Sequence, residues 1–264
     1  MAENTVPEKQ APISVRHLRV GFGERVLLDD VSFDVFRGEI VVILGGSGSG
    51  KSSLMKTLIG LHEPLAGDVL IEGRSLVGAS PEERAVLQRK LGIMYQGGAL
   101  FGSLTVLQNV RFPLDRFTDL TLPEKNLTAL MLLHELEMGH AGPLMPADLS
   151  GGMLKRAAIA RAIAPGCDIL LLDEPSAGLD PVTAADLDRT LLSLRRSLDL
   201  TLVIVTHELQ SIFAIADRAV MLDGVSRSII AQGAPAELRD HSIDARVRQF
   251  FNRQADLPRT ARSR

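Results

Sequence analysis

An apolar run, Ile40 to Leu44, passes into Gly45-Gly46-Ser47-Gly48-Ser49-Gly50-Lys51-Ser52 and then into a helical pattern ending at Gly60. No other stretch of this chain restricts its folding choices as much, because it matches G-x-x-x-x-G-K-[ST] set between a strand and a helix. Glycines let the backbone curl so that successive N–H groups converge, and the helix start adds its positive end. Lys51 then places a cation where the helix dipole repels it. A bound anion removes that conflict. Phosphate oxygens are therefore the expected ligand of Gly45, Gly46, Ser47, Gly48, Ser49, Gly50 and Lys51, with Ser53 beside them and the Ser52 hydroxyl on a Mg²⁺. The alternative reading is a Gly-Ser turn that caps a helix.

Around this loop, short apolar runs alternate with helical patterns. Ile40 to Leu44, Leu91 to Tyr95, Ile169 to Leu172, Leu202 to Val205 and Ala219 to Leu222 read as buried strands. Runs so uniformly apolar suit parallel strands covered on both faces. Helices of period near 3.6 lie between them, as at Ser52 to Gly60 and Thr183 to Leu198. An α/β fold with a mostly parallel sheet follows. Ile13 to Val20, Val31 to Phe36 and Asp68 to Glu72 look like antiparallel pieces, and Leu104 to Ala164 is almost wholly helical with a break near Gly139 to Pro146. The expected organisation is a core over 13–240 with a helical subdomain inserted at about 97–164. A flexible tail over 1–12 and a C-terminal helix and basic tail over 241–264 complete it.

Composition narrows the function classes. With 45% hydrophobic residues the 264-residue chain can bury a substantial core, and without tryptophan that core must be aliphatic. A net charge of −3 lacks the basic footprint of a nucleic-acid binder. Cys167 is the only cysteine, so no internal disulfide exists and a reducing compartment fits. The polar start, Met1 to Gln10, does not read as a signal peptide, and no apolar run approaches the roughly 18–20 residues of a membrane-spanning helix. The expectation is a cytosolic protein, or one held at a membrane by a partner.

Ile169-Leu170-Leu171-Leu172-Asp173-Glu174-Pro175 is a buried strand ending in two acids. Ligands of open α/β sheets sit at the carboxyl ends of strands, so both acids should face the phosphate loop. Asp173 suits Mg²⁺, directly or through water, and Glu174 suits a general base acting on the attacking water. The plainer reading is an acid that caps the following helix. His207, past the strand Leu202 to Val205, is placed to contact a γ-phosphate, and Gln96, past Leu91 to Tyr95, to touch Mg²⁺ and the water. Alone, each would pass as structural.

Leu149-Ser150-Gly151-Gly152-Met153 opens a long helix that Pro165-Gly166 stops. Ser150 can cap it, and the glycines leave N–H groups bare. Lys155 and Arg156 lie in its first turn, again calling for an anion. With this second anion-seeking helix start, the chain resembles the nucleotide-binding subunit of an ABC transporter over roughly residues 13 to 240. On that resemblance, Walker A is Gly45 to Ser52, the Q-loop is at Gln96, and the signature is Leu149 to Met153. Walker B with its glutamate is Ile169 to Glu174, the D-loop is Ser176 to Asp180, and the switch histidine is His207. Phe22 takes the place of the aromatic that stacks on adenine. The resemblance implies a P-loop NTPase (RecA-like) core, ATP and Mg²⁺ as cofactors, and ATP hydrolysis. It also implies a head-to-tail homodimer in which each ATP is clamped between one subunit's phosphate loop and the other's Ser150, Gly151 and Gly152. Met153 stands where glutamine is usual and cannot make glutamine's polar contacts.

The stretch Tyr95 to Val106, the methionine-bearing signature and the ending Val247 to Arg253 are similar to the ATPase of Mla-type phospholipid transporters. That branch implies an integral membrane permease, an MCE-domain lipid-binding protein and a small STAS-domain protein as partners, on the cytoplasmic face of the inner membrane. Ile243, Val247, Phe250 and Phe251 can dock the terminal helix on a partner, on the other protomer or on its own core. Other cargoes use the same engine, so an importer or exporter of another small molecule stays open. A non-transport ABC protein is disfavoured by the single cassette and the lack of basic excess. A P-loop kinase or GTPase leaves Ser150 to Met153 and His207 unexplained.

Overall fold

The computed structural model describes residues 11–253. The tails read at the two extremities of the sequence fall largely outside these residues, including Arg259, Arg262 and Arg264.

Strands β1 (Ile13–Phe22) and β2 (Arg25–Val35) form a hairpin, and β3 (Ile40–Gly45) runs into the glycine loop and helix α1 (Lys51–Leu58). Next come β4 (Ala66–Ile71), β5 (Arg74–Ser75), helix α2 (Pro81–Gln88) and β6 (Leu91–Met94). Helices α3 (Val106–Phe117), α4 (Leu122–Glu135) and α5 (Gly151–Ile163) follow, with two 3-10 turns, Gly139–Ala141 and Pro146–Asp148, at the expected break. The chain then alternates through β7 (Ile169–Asp173), α6 (Pro181–Ser197), β8 (Thr201–Val205), α7 (Leu209–Ile215) and β9 (Arg218–Asp223). It closes with β10 (Ser228–Gly233), α8 (Pro235–His241) and α9 (Ala245–Phe251). Four of these, β5, α2, β10 and α8, have no counterpart in the sequence reading. Ser80 and Glu83 form a reciprocal capping box ahead of α2, a local signal that was legible. The edge strand β10 is only half-buried, and its apolar run is just Ile229 to Ala231, too short to stand out.

Two sheets result. The smaller is antiparallel in the order β2-β1-β4-β5, and the larger runs β10-β9-β3-β8-β7-β6. In the larger sheet β9, β3, β8, β7 and β6 are mutually parallel, and β10 adds an antiparallel edge. Alternation along these strands feeds two cores. Ile40, Val42 and Leu44 of β3, with Leu170, Leu172, Leu202 and Ile204, face the helices α3 to α7. Val41 and Ile43, with Ile169, Leu171, Val203 and Val205, face α1 and the antiparallel sheet. Burial on both faces is the reason these strands read as unbroken apolar runs.

Asn109 on α3 is fully buried, and its side chain spends all its polarity on one loop. Its Oδ1 accepts from the Phe101 N–H at 2.8 Å, and its Nδ2 donates to the Phe101 and Leu104 carbonyls at 3.1 and 3.0 Å. The segment following Gln96 is thereby fixed to the helices. At the other end, Val247 and Phe251 of α9 are buried in the helical-side core, and the Phe251 ring lies 5.7 Å from that of Phe213. The terminal helix thus docks on its own core, leaving Ile243 at 99% exposure.

Cys167 packs at the mouth of β6, where a Cβ on Gly92 would come within 2.6 Å of its sulfur. Burial pushes the thiol up to about 12. Native protein at pH 8 is expected to resist a thiol reagent and to react fully once unfolded in denaturant. Labelling of the native protein within seconds would contradict this packing.

Candidate functional site

Parallel pairing sets the candidate residues side by side. In the order β3-β8-β7-β6, each strand ends at the same edge, with Ile43 opposite Val205, Asp173 opposite Val205 and Met94 opposite Leu172. The glycine loop follows β3, His207 follows β8, Glu174 follows β7 and Gln96 follows β6. Residues separated by up to 162 positions in the chain become neighbours at one edge.

The loop holds the conformation that the glycines permit. Gly45, Gly48 and Gly50 have φ of 152°, 76° and 95°, and a Cβ on Gly45 would come within 2.4 Å of the Leu222 carbonyl oxygen. Gly50 begins α1 with no side-chain cap, so the first-turn amides are left for another acceptor. Lys51 Nζ donates to the Gly45 and Gly46 carbonyls at 2.8 and 3.1 Å, folding back over the loop. Burial pushes its pKa down, opposed by the charges of Glu174 and Asp173. Ser49 Oγ is buried without a hydrogen-bond partner, at a cost of about 1–3 kcal/mol. A cavity of about 310 Å³ lies over the loop, lined by Phe22, Arg25, Leu27 and residues 48–53. An uncapped helix start, a loop lysine and a buried orphan hydroxyl in one cavity fit a phosphate chain.

At the cavity wall Phe22 is 54% exposed, and its ring lies 4.4 Å from that of His62. The His62 Nε2 is 2.9 Å from the Gly21 carbonyl oxygen. His62 and Arg25 were not singled out from the sequence. The Gly23 turn after Phe22 was the available signal for Arg25, and nothing local marks His62.

Asp173 is half-buried, and its pKa is raised by burial first and by the neighbouring Glu174 second, against the pull of Lys51, Lys56 and Lys155. Glu174 has φ of 48°, a left-handed backbone costing about 1–3 kcal/mol outside glycine. Its N–H donates to the Val205 carbonyl at 2.8 Å and its carbonyl accepts from the Ala177 N–H at 3.2 Å. Its carboxylate oxygen Oε1 is 2.7 Å from Nδ1 of His207. With the carboxylate ionised, Nδ1 is the donor and Nε2 faces away from it. Gln96 and Ser52 are both exposed. Among the described residues, no cluster of three His, Cys, Asp or Glu could hold a metal ion. Mg²⁺ here would rest on Ser52, Gln96, Asp173, water and ligand oxygens, a donor set suited to it.

The signature segment lies elsewhere. Ser150 Oγ caps α5 by accepting from the Met153 N–H at 3.3 Å, and Ser150 and Gly151 are exposed. Gly151 and Gly152 abut the start of α6, where added Cβ atoms would come within 3.2 Å of Leu179 and 2.6 Å of Thr183. None of the three lines the cavity over the phosphate loop. Met153 packs against the core. Lys155 and Arg156 correct the sequence reading, because neither waits for an anion. Arg156 pairs with Glu137 and Asp186, and Lys155 donates to the Gln96 main chain. Both are over 90% buried, so their charges serve internal partners. Asp180 is spent on capping α6 through the Val182 and Thr183 N–H groups at 3.0 and 3.1 Å.

A family model described as ABC transporter matches residues 28–177. The intermembrane phospholipid transport system ATP-binding protein MlaF of Escherichia coli (strain K12) is 36% identical over 246 residues, 93% of this chain and 90% of that protein. The probable ribonucleotide transport ATP-binding protein mkl of Mycobacterium leprae is 36% identical over 91% of this chain and 68% of its own length. Among solved structures, cbiO1 from Clostridium perfringens, part of the ABC transporter complex cbiONQ, aligns with a TM-score of 0.81 at 27% identity, over 89% of this chain and 92% of that one. The ATP-binding cassette MJ0796, a dimer bound to ADP and Pi, aligns at 0.76 and 29% identity over 84% and 98%. An α/β core with parallel and antiparallel sheets, a phosphate loop facing paired acids, and these likenesses agree: the chain belongs to the ABC transporter family, as an ATP-binding and ATP-hydrolysing subunit.

Proposed function

We propose that this subunit drives phospholipid transport. The observation that carries this reading is the 36% identity to MlaF, which runs through 93% of this chain and 90% of that protein rather than through the shared motifs alone. The likeness to mkl, named for ribonucleotide transport, favours the second reading of another cargo. Two copies of the chain would work with an integral membrane permease, an MCE-domain lipid-binding protein and a small STAS-domain protein at the cytoplasmic face of the inner membrane. Among the described residues no helix is long and apolar enough to cross a membrane, in keeping with attachment through the permease.

In this reading ATP lies over the loop of one subunit, with its base on Phe22 and its phosphates on the amides of 45–53 and on Lys51. Ser52, Asp173 and Gln96 would hold Mg²⁺, which would supply neutralising charge to the phosphates. Glu174 takes the proton from the attacking water, and His207 orients Glu174 and reaches the γ-phosphate. Ser150, Gly151 and Gly152 of the second subunit close the site, which accounts for the exposure of Ser150 and Gly151 away from the cavity of their own chain. The helical segment at about 97–164 receives the permease, where Phe101 and Phe112 stay 45% and 47% exposed with rings 4.8 Å apart. Closure around nucleotide then moves the permease, and hydrolysis resets it.

The complex purified with its membrane subunits should carry phospholipid identifiable by mass spectrometry. A ribonucleotide or a lipid-free complex would favour the second reading. Glu174→Gln should keep ATP affinity and lose roughly 10²-fold or more in turnover, accumulating a closed dimer by size-exclusion chromatography. Lys51→Ala should weaken ATP binding by roughly 10–100-fold in calorimetry, the loss of a charge-assisted contact to phosphate. Replacing Ser150 and Gly151 together should leave binding to the isolated subunit intact while turnover of the assembled transporter collapses. Unchanged turnover would remove the shared site.

A further inference from the structure

Helix α5 grips the loop after β6 with two cations that come from well inside the helix. Lys155, 6% exposed, donates through Nζ to the Gln96 carbonyl and reaches the Glu174 carbonyl at 3.4 Å. Arg161 donates to the Ala99 and Gly98 carbonyls at 2.6 and 2.8 Å. Between these points Leu154 packs so closely that a Cβ on Gly98 would come within 2.6 Å of it. The loop's own support is slight by comparison, a turn bond from the Gly98 N–H to the Tyr95 carbonyl at 2.7 Å. The stretch from Gln96 to Ala99 is therefore positioned by α5, whereas Asn109 of α3 holds Phe101 and Leu104.

Lys155 differs from Arg161 in spanning two loops. Burying an ammonium is unfavourable unless charge or dipoles compensate. Here burial depresses the Lys155 pKa and the acids Glu174 and Asp173 oppose that shift. The carbonyl it reaches on the β7 side belongs to Glu174, the residue held in a left-handed backbone. A cation there stabilises a main-chain conformation that the chain adopts reluctantly.

We propose that Lys155 is a positioning residue for hydrolysis, tying the main chain of Gln96 to that of Glu174 so that any displacement of α5 moves the glutamine loop and the base together. Lys155 sits on the signature helix, whose exposed start at Ser150 and Gly151 closes the neighbouring subunit's site in the reading above. The tie therefore lets the occupancy of one site reach the base of the other. The inference rests on that reading of Glu174 as the base. The chemistry needs a positive charge of long reach. Methionine keeps the volume and loses every donor, glutamine keeps a donor but cannot span both carbonyls, and arginine keeps charge and reach.

The test uses the full chain assembled with its membrane subunits, comparing Lys155→Met, Lys155→Gln and Lys155→Arg by steady-state ATPase kinetics and equilibrium ATP binding. Lys155→Met should lower kcat roughly 10–100-fold, as for a reacting group displaced by about 1 Å. Its KM and ATP affinity should stay within about threefold of the parent. Lys155→Gln should lose at least about fivefold, and it decides the outcome if the methionine variant does not fold. Lys155→Arg should return within about fivefold of the parent. Hydrogen exchange should rise at 95–99 and 174–177 and stay unchanged over β3 and α1. A parental kcat in the methionine or glutamine variant overturns the proposal, as does a loss that arginine fails to restore or one matched by equal loss of ATP affinity. Glu174→Gln run in parallel separates the two failures. Retained turnover there sinks the assignment of the base, whereas its loss beside an unaffected Lys155→Met sinks only the role of Lys155.

Discussion

Main-chain pairing among β3, β8, β7 and β6 decides where every candidate reactive group lies. Parallel strands release their side chains and loops at one edge, and the adjacency of β3 to β8 and of β8 to β7 puts His207 between the phosphate loop and Glu174. Burial of these strands on both faces makes the arrangement rigid, since a shift in register would turn Leu171 or Val203 from one core into the other. The chemistry thus rides on a sheet that has no freedom to slip.

Charge is arranged on that edge as a balanced set. Lys51 and Lys155 are both partly desolvated, and each is opposed by Asp173 and Glu174. Asp173 in turn is held up by burial and by its neighbouring carboxylate. Lys51 bonds the carbonyls of its own loop, so this cation has partners within the chain. A phosphate bound as proposed would exchange these carbonyls for its own oxygens and give Ser49 Oγ a partner. Preorganisation of this kind spares the reorganisation that a floppy site would have to undergo at each turnover.

The signature helix shows how the same residue types can serve opposite ends. A lysine and an arginine near its start look like anion ligands when only the helix dipole is considered. Both instead turn inward, Arg156 to Glu137 in the turn after α4 and to Asp186 of α6, and Lys155 to two loops of the core. What the helix presents outward is reduced to Ser150, Gly151 and main-chain N–H groups. The terminal helix is settled by the same kind of competition, with Val247 and Phe251 finding a core of their own to fill.

The sequence by itself determined the local pieces: the glycine loop from its spacing, the buried strands from unbroken apolar runs, the helices from their period, and the candidate site residues from their place after strands. Each of these depends on dihedral preferences and patterns within a few residues, which a linear reading captures. Only the tertiary structure decided the order of the strands, the pairing of His62 with Phe22, the inward turn of Lys155 and Arg156, and the left-handed backbone of Glu174. Those outcomes depend on partners tens of residues away, such as Gln96 for Lys155 at a separation of 59. A charged side chain bonds whichever acceptor packing brings within reach, and that choice exists only once the layers have closed.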